Sequence, residues 1–186
     1  MLGGGMSSSV FGMARGRRQQ PEIAADIAVV GGGVGGCAAA IAAARNGFRV
    51  VMTEETSWIG GQLTQQAVPP DEHGWIEKFG ATQTYLNFRE RVREYYRQWY
   101  PLTGAADDRT HLNPGNCGVS RLCHEPRAAL AVLEGMLAPY VSSEQVILLL
   151  EHRPTDADVS GDAVDAVQVE DLRTGDTRQL RAPYFV

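Results

Sequence analysis

The sequence has few cysteines, no surplus of positive charge and no long hydrophobic run, and each lack excludes a class of protein. Its three cysteines, Cys37, Cys117 and Cys123, are an odd number, which argues against a disulfide framework and for reduced thiols. A net charge of -5 leaves no clustered Lys and Arg to neutralise phosphates, so a nucleic-acid partner is not expected. The longest apolar run, Cys37 to Ala44, is mostly alanine and falls short of the ~20 residues a spanning helix needs. No membrane partner is therefore expected. Arg15, Arg17 and Arg18 are not followed by an apolar stretch, so the start does not read as a secretory signal. These absences together point to a cytoplasmic protein.

The chain has 186 residues, 44% of them hydrophobic, enough for one domain around a single core. Met1 to Pro21 is rich in Gly, Ser, Arg and Gln without a hydrophobic period, and residues 1–22 are expected to form a disordered tail ahead of a domain spanning 23–186. Met6 and Met13 leave room for a start later than Met1. The fold class is α/β, a Rossmann-like parallel sheet with flanking helices and a C-terminal β-hairpin.

The pattern behind that reading begins at Ile27, where a short apolar run ends in glycines as a buried parallel strand does. Val34 to Asn46 is nearly all alanine, a good helix former, and Gly47 stands where a C-terminal cap belongs. Arg49 to Thr53 is a second strand. Trp58 to Gly80 lacks periodicity and is expected to be a long loop. Tyr85, Phe88, Val92 and Trp99 recur at helical spacing until Pro101. The opposite face of that helix carries Arg89, Arg93 and Arg97, expected to be solvated among Glu90 and Glu94. After a loop from Thr103 to Cys123, Pro126 opens a helix with Leu130, Leu133 and Leu137 as its buried stripe. Gln145 to Leu150 is a strand, and Val164 to Leu172 pairs with Thr177 to Val186 across Thr174, Gly175 and Asp176. A strand running to Val186 without a closing element reads as a truncated domain.

Gly31, Gly33 and Gly36 make G-x-G-x-x-G between a strand and a helix, the context that lifts this motif above chance. Gly31 permits the tight turn, Gly33 lets the backbone approach a diphosphate, and Gly36 lets the helix lie close on the strand. The N–H groups and dipole at the helix start then face the phosphates, with Gly32, Val34 and Gly35 completing the turn. Glu54, with Glu55 beside it, follows the second strand at about the ~20-residue offset of the acid that binds a ribose hydroxyl. An acid there disfavours NADP. The fingerprint alone does not separate FAD from NAD, because both present an ADP half. The second glycine pair, Gly60 and Gly61 followed by Gln62, favours FAD.

WIGGQLTQQAVPPDEHGWIE, YYRQWYPL and NPGNCGVSRLCHEPRAALAVL resemble the FAD-dependent oxidoreductase family within the glutathione-reductase-like flavoproteins. The resemblance covers roughly Ile27 to Val186. It implies FAD on Gly31, Gly33 and Gly36 through its pyrophosphate, on Glu54 through the adenosine ribose, and near Gly60, Gly61 and Gln62 on the flavin side. It also implies a backbone contact to adenine after the strand at Gln145 to Leu150, and a further cofactor turn beyond Val186. The expected activity is oxidation or reduction of an unidentified small organic substrate. An NAD-dependent dehydrogenase and a non-catalytic fragment are the alternatives.

Cys117, Cys123 and His124 form C-x5-C-H. Cys123 and His124 are the candidates for direct chemistry, since a thiol or imidazole near a flavin can shuttle protons or electrons. A zinc site would want a fourth ligand at tighter spacing, so no metal is expected. His124 and Glu125 could equally cap the helix at Pro126. Asp71, Glu72 and His73 could line a pocket or lie exposed, and Cys37 is expected to be a small buried hydrophobe.

Overall fold

The computed structural model describes residues 21–186. The expected tail lies outside the described residues apart from its last two, and Glu22 already opens a strand. In chain order the elements are β1 (Glu22–Ala24), β2 (Ile27–Val30), α1 (Val34–Arg45), β3 (Val50–Glu54), a 3-10 turn (Gly61–Leu63), α2 (Gln83–Trp99), α3 (Gly104–Asp107), α4 (Pro126–Ser142), β4 (Val146–Leu150), β5 (His152–Ser160), β6 (Ala163–Asp171), β7 (Thr177–Arg181) and β8 (Tyr184–Phe185).

Among the described residues two four-stranded sheets result. One is parallel in the order β4-β3-β2-β8, and the other runs β1-β7-β6-β5 with β1 parallel to β7 and the rest antiparallel. Every residue of β3 is buried, as in a strand covered on both faces. Its side chains alternate between two cores. Val50 and Met52 pack with α1, α2 and α4 through Cys37, Ile41, Phe88, Val92, Leu133 and Leu137. Val51 turns the other way, onto Val167, Val169 and Leu180 of the second sheet. The parallel sheet is thus sandwiched between helices and the β5–β7 meander.

The hairpin forms across Thr174–Asp176 as expected, but its second arm divides. Thr177–Arg181 stays with β6, while Tyr184–Phe185 crosses to pair with β2. β5 was not visible in the sequence because Arg153 to Ser160 is exposed throughout, which gives it no alternation to read. Pro126 opens α4 as expected, and Leu133 and Leu137 are buried with Ala128, Ala129, Val132 and Met136. Leu130 is only partly buried. Among the described residues no helix is long and apolar enough to cross a membrane.

The expected solvated arginine face is overturned. The side chains of Arg89 and Arg93 are only 1% and 3% exposed, and both bind Glu77, with Arg89 also binding Glu72. Arg93 Nε donates to the Leu112 carbonyl at 3.0 Å. Arg97 keeps the expected pairs with Glu90 and Glu94, and Arg93 also reaches Glu90 Oε2 at 3.7 Å. The cause is long-range: the 72–77 loop folds back over α2 and delivers carboxylates that a local helical pattern does not contain. Buried arginines need such partners, since an unpaired charge in the interior costs several kcal/mol.

Candidate dinucleotide site

β2 ends at Val30 and the chain turns at Gly31, whose φ of 120° is a conformation that L side chains rarely adopt. The Gly31 N–H donates to Thr53 Oγ1 at 3.2 Å, tying the turn to the end of β3. Gly33 caps α1 without a side-chain bond, and the first N–H bonded back is that of Cys37, to the Gly33 carbonyl at 2.9 Å. The N–H groups of a first helical turn have no intrahelical acceptor, and here no acidic side chain occupies that turn. They are available to an anion.

The glycines divide into filled and open positions. A Cβ on Gly36 would collide with the Gly31 carbonyl and meet Val29 Cγ1 at 3.3 Å, and one on Gly32 would lie 2.8 Å from Glu54 Cβ. Those two glycines let backbone and neighbour pack. Among the described residues a Cβ on Gly33 or Gly35 would meet nothing within 4 Å, which leaves the space above the helix start open, as a docked diphosphate requires. The GGQ turn closes one side of it. The Gly60 N–H donates to the Gly32 carbonyl at 2.7 Å, and a Cβ on Gly61 would stand 3.2 Å from Gly33 Cα.

Glu54 is buried beside this turn. Its Oε1 accepts from both the N–H and the hydroxyl of Thr56, each at 2.8 Å, which fixes the carboxylate. Its Oε2 faces Gly32. Thr53 and Thr56 hold the acid and the turn in place, and sequence reasoning missed both, because a threonine at a strand end carries no motif. Glu55 and Gln62 are exposed, with Gln62 Nε2 reaching the Pro69 carbonyl at 3.4 Å. The structure therefore gathers Gly31 to Gly36, Glu54, Gly60 and Gly61, and leaves Glu55 outside the cluster.

The thiols depart from expectation. Cys117 and Cys123 form a disulfide with Cα atoms 5.9 Å apart, so Cys123 is not a free nucleophile. Asn113 organises the bridged loop: its Oδ1 accepts from the Cys123 N–H at 2.6 Å, and its amide nitrogen donates to the Cys117 and Ser120 carbonyls. The odd count misled because the third cysteine is simply buried elsewhere. Cys37 lies in α1 as expected of a buried hydrophobe, its thiol donating to the Gly32 carbonyl at 3.3 Å. Burial pushes that thiol up to about 12.

His124 stands before α4, the helix that feeds parallel strand β4. The start of α4 therefore lies at the carboxyl edge of the sheet, with the glycine turn. Contact between the Arg127 guanidinium and the Trp58 ring, 5.4 Å apart, joins the two. His124 Nδ1 lies 3.2 Å from the Glu125 carbonyl, and its buried Nε2 has no partner among the described residues. Burial lowers its proton affinity, which favours the neutral ring. Glu125 occupies the N-cap position without a side-chain capping bond. Its carboxylate instead accepts from Tyr100, and its N–H donates to Tyr96 Oη at 2.7 Å.

The sequence model of the family described as FAD dependent oxidoreductase matches residues 26–186. The chain belongs to that family, and FAD is its cofactor. The NAD-dependent alternative is not favoured. No curated protein sequence matches the chain. Among solved structures, it is similar to the Mycobacterium smegmatis Sdh1 complex with UQ1, with a TM-score of 0.60, 13% identity, and 89% of this chain aligned to 33% of the other. The rebeccamycin biosynthetic enzyme RebC with reduced flavin gives a TM-score of 0.53 and 21% identity, with 89% and 32% of the two chains covered. At these identities the likeness is one of fold. The chain spans about a third of the length of these structures.

Proposed function

We propose that the chain supplies the dinucleotide-binding part of an enzyme that oxidises or reduces a small organic molecule with FAD. In this reading the N–H groups of Val34 to Gly36 and the open backbone of Gly33 would hold the pyrophosphate. Glu54 would accept from the adenosine ribose, and the Gly60–Gly61 turn would flank the flavin side. Bound FAD would take up electrons from the molecule oxidised, or give them to the molecule reduced. The protein's part is to seat the diphosphate on fixed dipoles, which cost no rearrangement at the moment of binding.

The observation that carries this reading is the division among the glycines. Gly32 and Gly36 are packed against Glu54 and Gly31, while Gly33 and Gly35 face empty space. A turn built only for tight packing would fill all four. Absorbance of the purified protein in the visible flavin bands tests it. A colourless protein that takes up no added FAD would sink the proposal.

In this reading His124 would carry a proton; what supports it is that its Nε2 is buried without a partner among the described residues, at the same sheet edge. Leaving such an atom unpaired costs about 1–3 kcal/mol, which a bound molecule would offset. A cytoplasmic location keeps the support of the acidic composition. It loses the support drawn from reduced thiols, now that Cys117 and Cys123 are bridged.

A further inference from the structure

A second cleft, of about 780 Å³, opens between the 72–78 loop and the disulfide loop, away from the glycine turn. Four ionisable side chains of fixed charge line it: Glu72, Glu77, Lys78 and Arg121. The two carboxylates are neutralised from behind by the buried arginines, Glu72 by Arg89 and Glu77 by Arg89 and Arg93, while His111 Nδ1 lies 3.3 Å from Glu77 Oε2 in the cleft wall. Arg89 and Arg93 are buried, so their charge is spent on those acids. Among the described residues, the fixed charges that remain facing the opening are those of Lys78 and Arg121, both exposed, beside the imidazoles of His73 and His111, in a protein whose overall charge is -5.

The cleft also offers apolar surface from both segments. Trp75, 59% exposed, comes from one loop, and Val119, 74% exposed, from the other. Neither loop is loose. The first is held by the buried ion pairs and the second by the Cys117–Cys123 bridge and by Asn113. A preformed cleft with an apolar wall and a few charged groups is the ordinary form of a small-ligand site. Lys78 Nζ lies 5.8 Å from the Trp75 ring centre, so cation and aromatic surface are adjacent, as an acid with an apolar body would need them.

We infer that this cleft binds small organic carboxylates with an apolar or aromatic body, the carboxylate on Lys78 and Arg121 and the body against Trp75 and Val119. That such an acid is the molecule oxidised or reduced rests on the FAD reading; that the cleft binds it does not.

Tryptophan fluorescence of the protein, titrated with sodium benzoate and separately with neutral benzamide, tests the inference. Benzoate is expected to quench Trp75 and to bind about tenfold more tightly than benzamide, a typical worth of a charge-assisted contact. The Lys78→Ala, Arg121→Ala double variant should lose that advantage, and Trp75→Phe should lose the quench. Equal affinity for the two compounds, or a quench that survives Trp75→Phe, would overturn it. Flavin absorbance read on the same sample is a separate outcome, so failure of cofactor binding does not disguise failure of the cleft.

Discussion

The N–H of Gly60 donates to the carbonyl of Gly32 at 2.7 Å, joining a turn after β3 to the turn after β2. Neither glycine is replaceable for the same reason. Gly60 has a φ of 100°, and a Cβ there would sit 2.6 Å from Thr64 Cγ2 and crowd Leu133 on α4.

Gly60→Ala should therefore destabilise the fold by about 2 kcal/mol through backbone strain and overpacking. For a domain of this size that lowers Tm by roughly 4–8 °C. Gly74→Ala is the control, since a Cβ there meets nothing within 4 Å. Thermal unfolding followed by circular dichroism reads both. Equal Tm values for the two variants would refute the account of the turn.

Glu54→Gln keeps the shape and removes the charge. The fold should persist, because Thr56 can still bond the remaining oxygen, while FAD affinity falls about tenfold with loss of a charge-assisted bond to the ribose. Flavin retained after dialysis is the measure. Unchanged retention would remove Glu54 from the site.

Arg89→Met strands Glu72 and part of Glu77 without their cation and should cost about 3 kcal/mol or more, whereas Arg89→Met with Glu72→Met should recover part of it. Acid acts on the same cluster. Burial works to raise the Glu77 carboxyl, but Arg93 and Arg89 outweigh it and hold the group below its ordinary value of 4.5. Its stabilisation is thus fully present above that value and is lost as pH falls through the lowered one. Urea midpoints taken from neutral to acid pH should fall more steeply for the native protein than for Glu77→Gln, and parallel curves would contradict the pairing.

Thiol labelling separates the three cysteines. Because burial holds Cys37 protonated and Cys117 is bridged to Cys123, the folded protein should label slowly or not at all. Unfolding without a reductant should reveal one thiol, and unfolding with one should reveal three. A fast native label on two sites would mean the bridge is absent. Cys117→Ser should also loosen the 117–123 loop at a cost of about 2 kcal/mol, the closure entropy of so short a ring.

The β2–α1–β3 unit was legible because three local signals coincide in it: a four-residue apolar run, glycines at fixed offsets and an alanine-rich helix with Gly47 behind it. α2 and α4 were legible by their apolar period and by Pro126. What escaped was non-local. The burial of Arg89 and Arg93 depends on Glu72 and Glu77 arriving from a loop without periodicity, and a helical face of arginines and glutamates looks alike whether solvent or a loop covers it. The bridge between Cys117 and Cys123 escaped because parity says nothing about which two thiols meet. Thr53 and Thr56 escaped because their work is to hold Glu54 and Gly31, a relation visible only in three dimensions. β5 escaped because its outward residues left no alternation.

Glu22–Ala24 runs beside Gln179–Arg181, and Ile27–Ala28 beside Tyr184–Phe185, at one unchanged offset while both segments pass from one sheet to the other. Two distant stretches thus cross between layers as a single two-ply ribbon, with Arg181 bonded to Glu22 across 159 positions. Closure over that span is entropically slow, and Gly31 leaves from the end of one ply. Helices α1 and α4 can assemble early from near neighbours, but the geometry of the glycine turn matures only once the ribbon has zipped. Capture of the cofactor should accordingly trail helix formation during refolding.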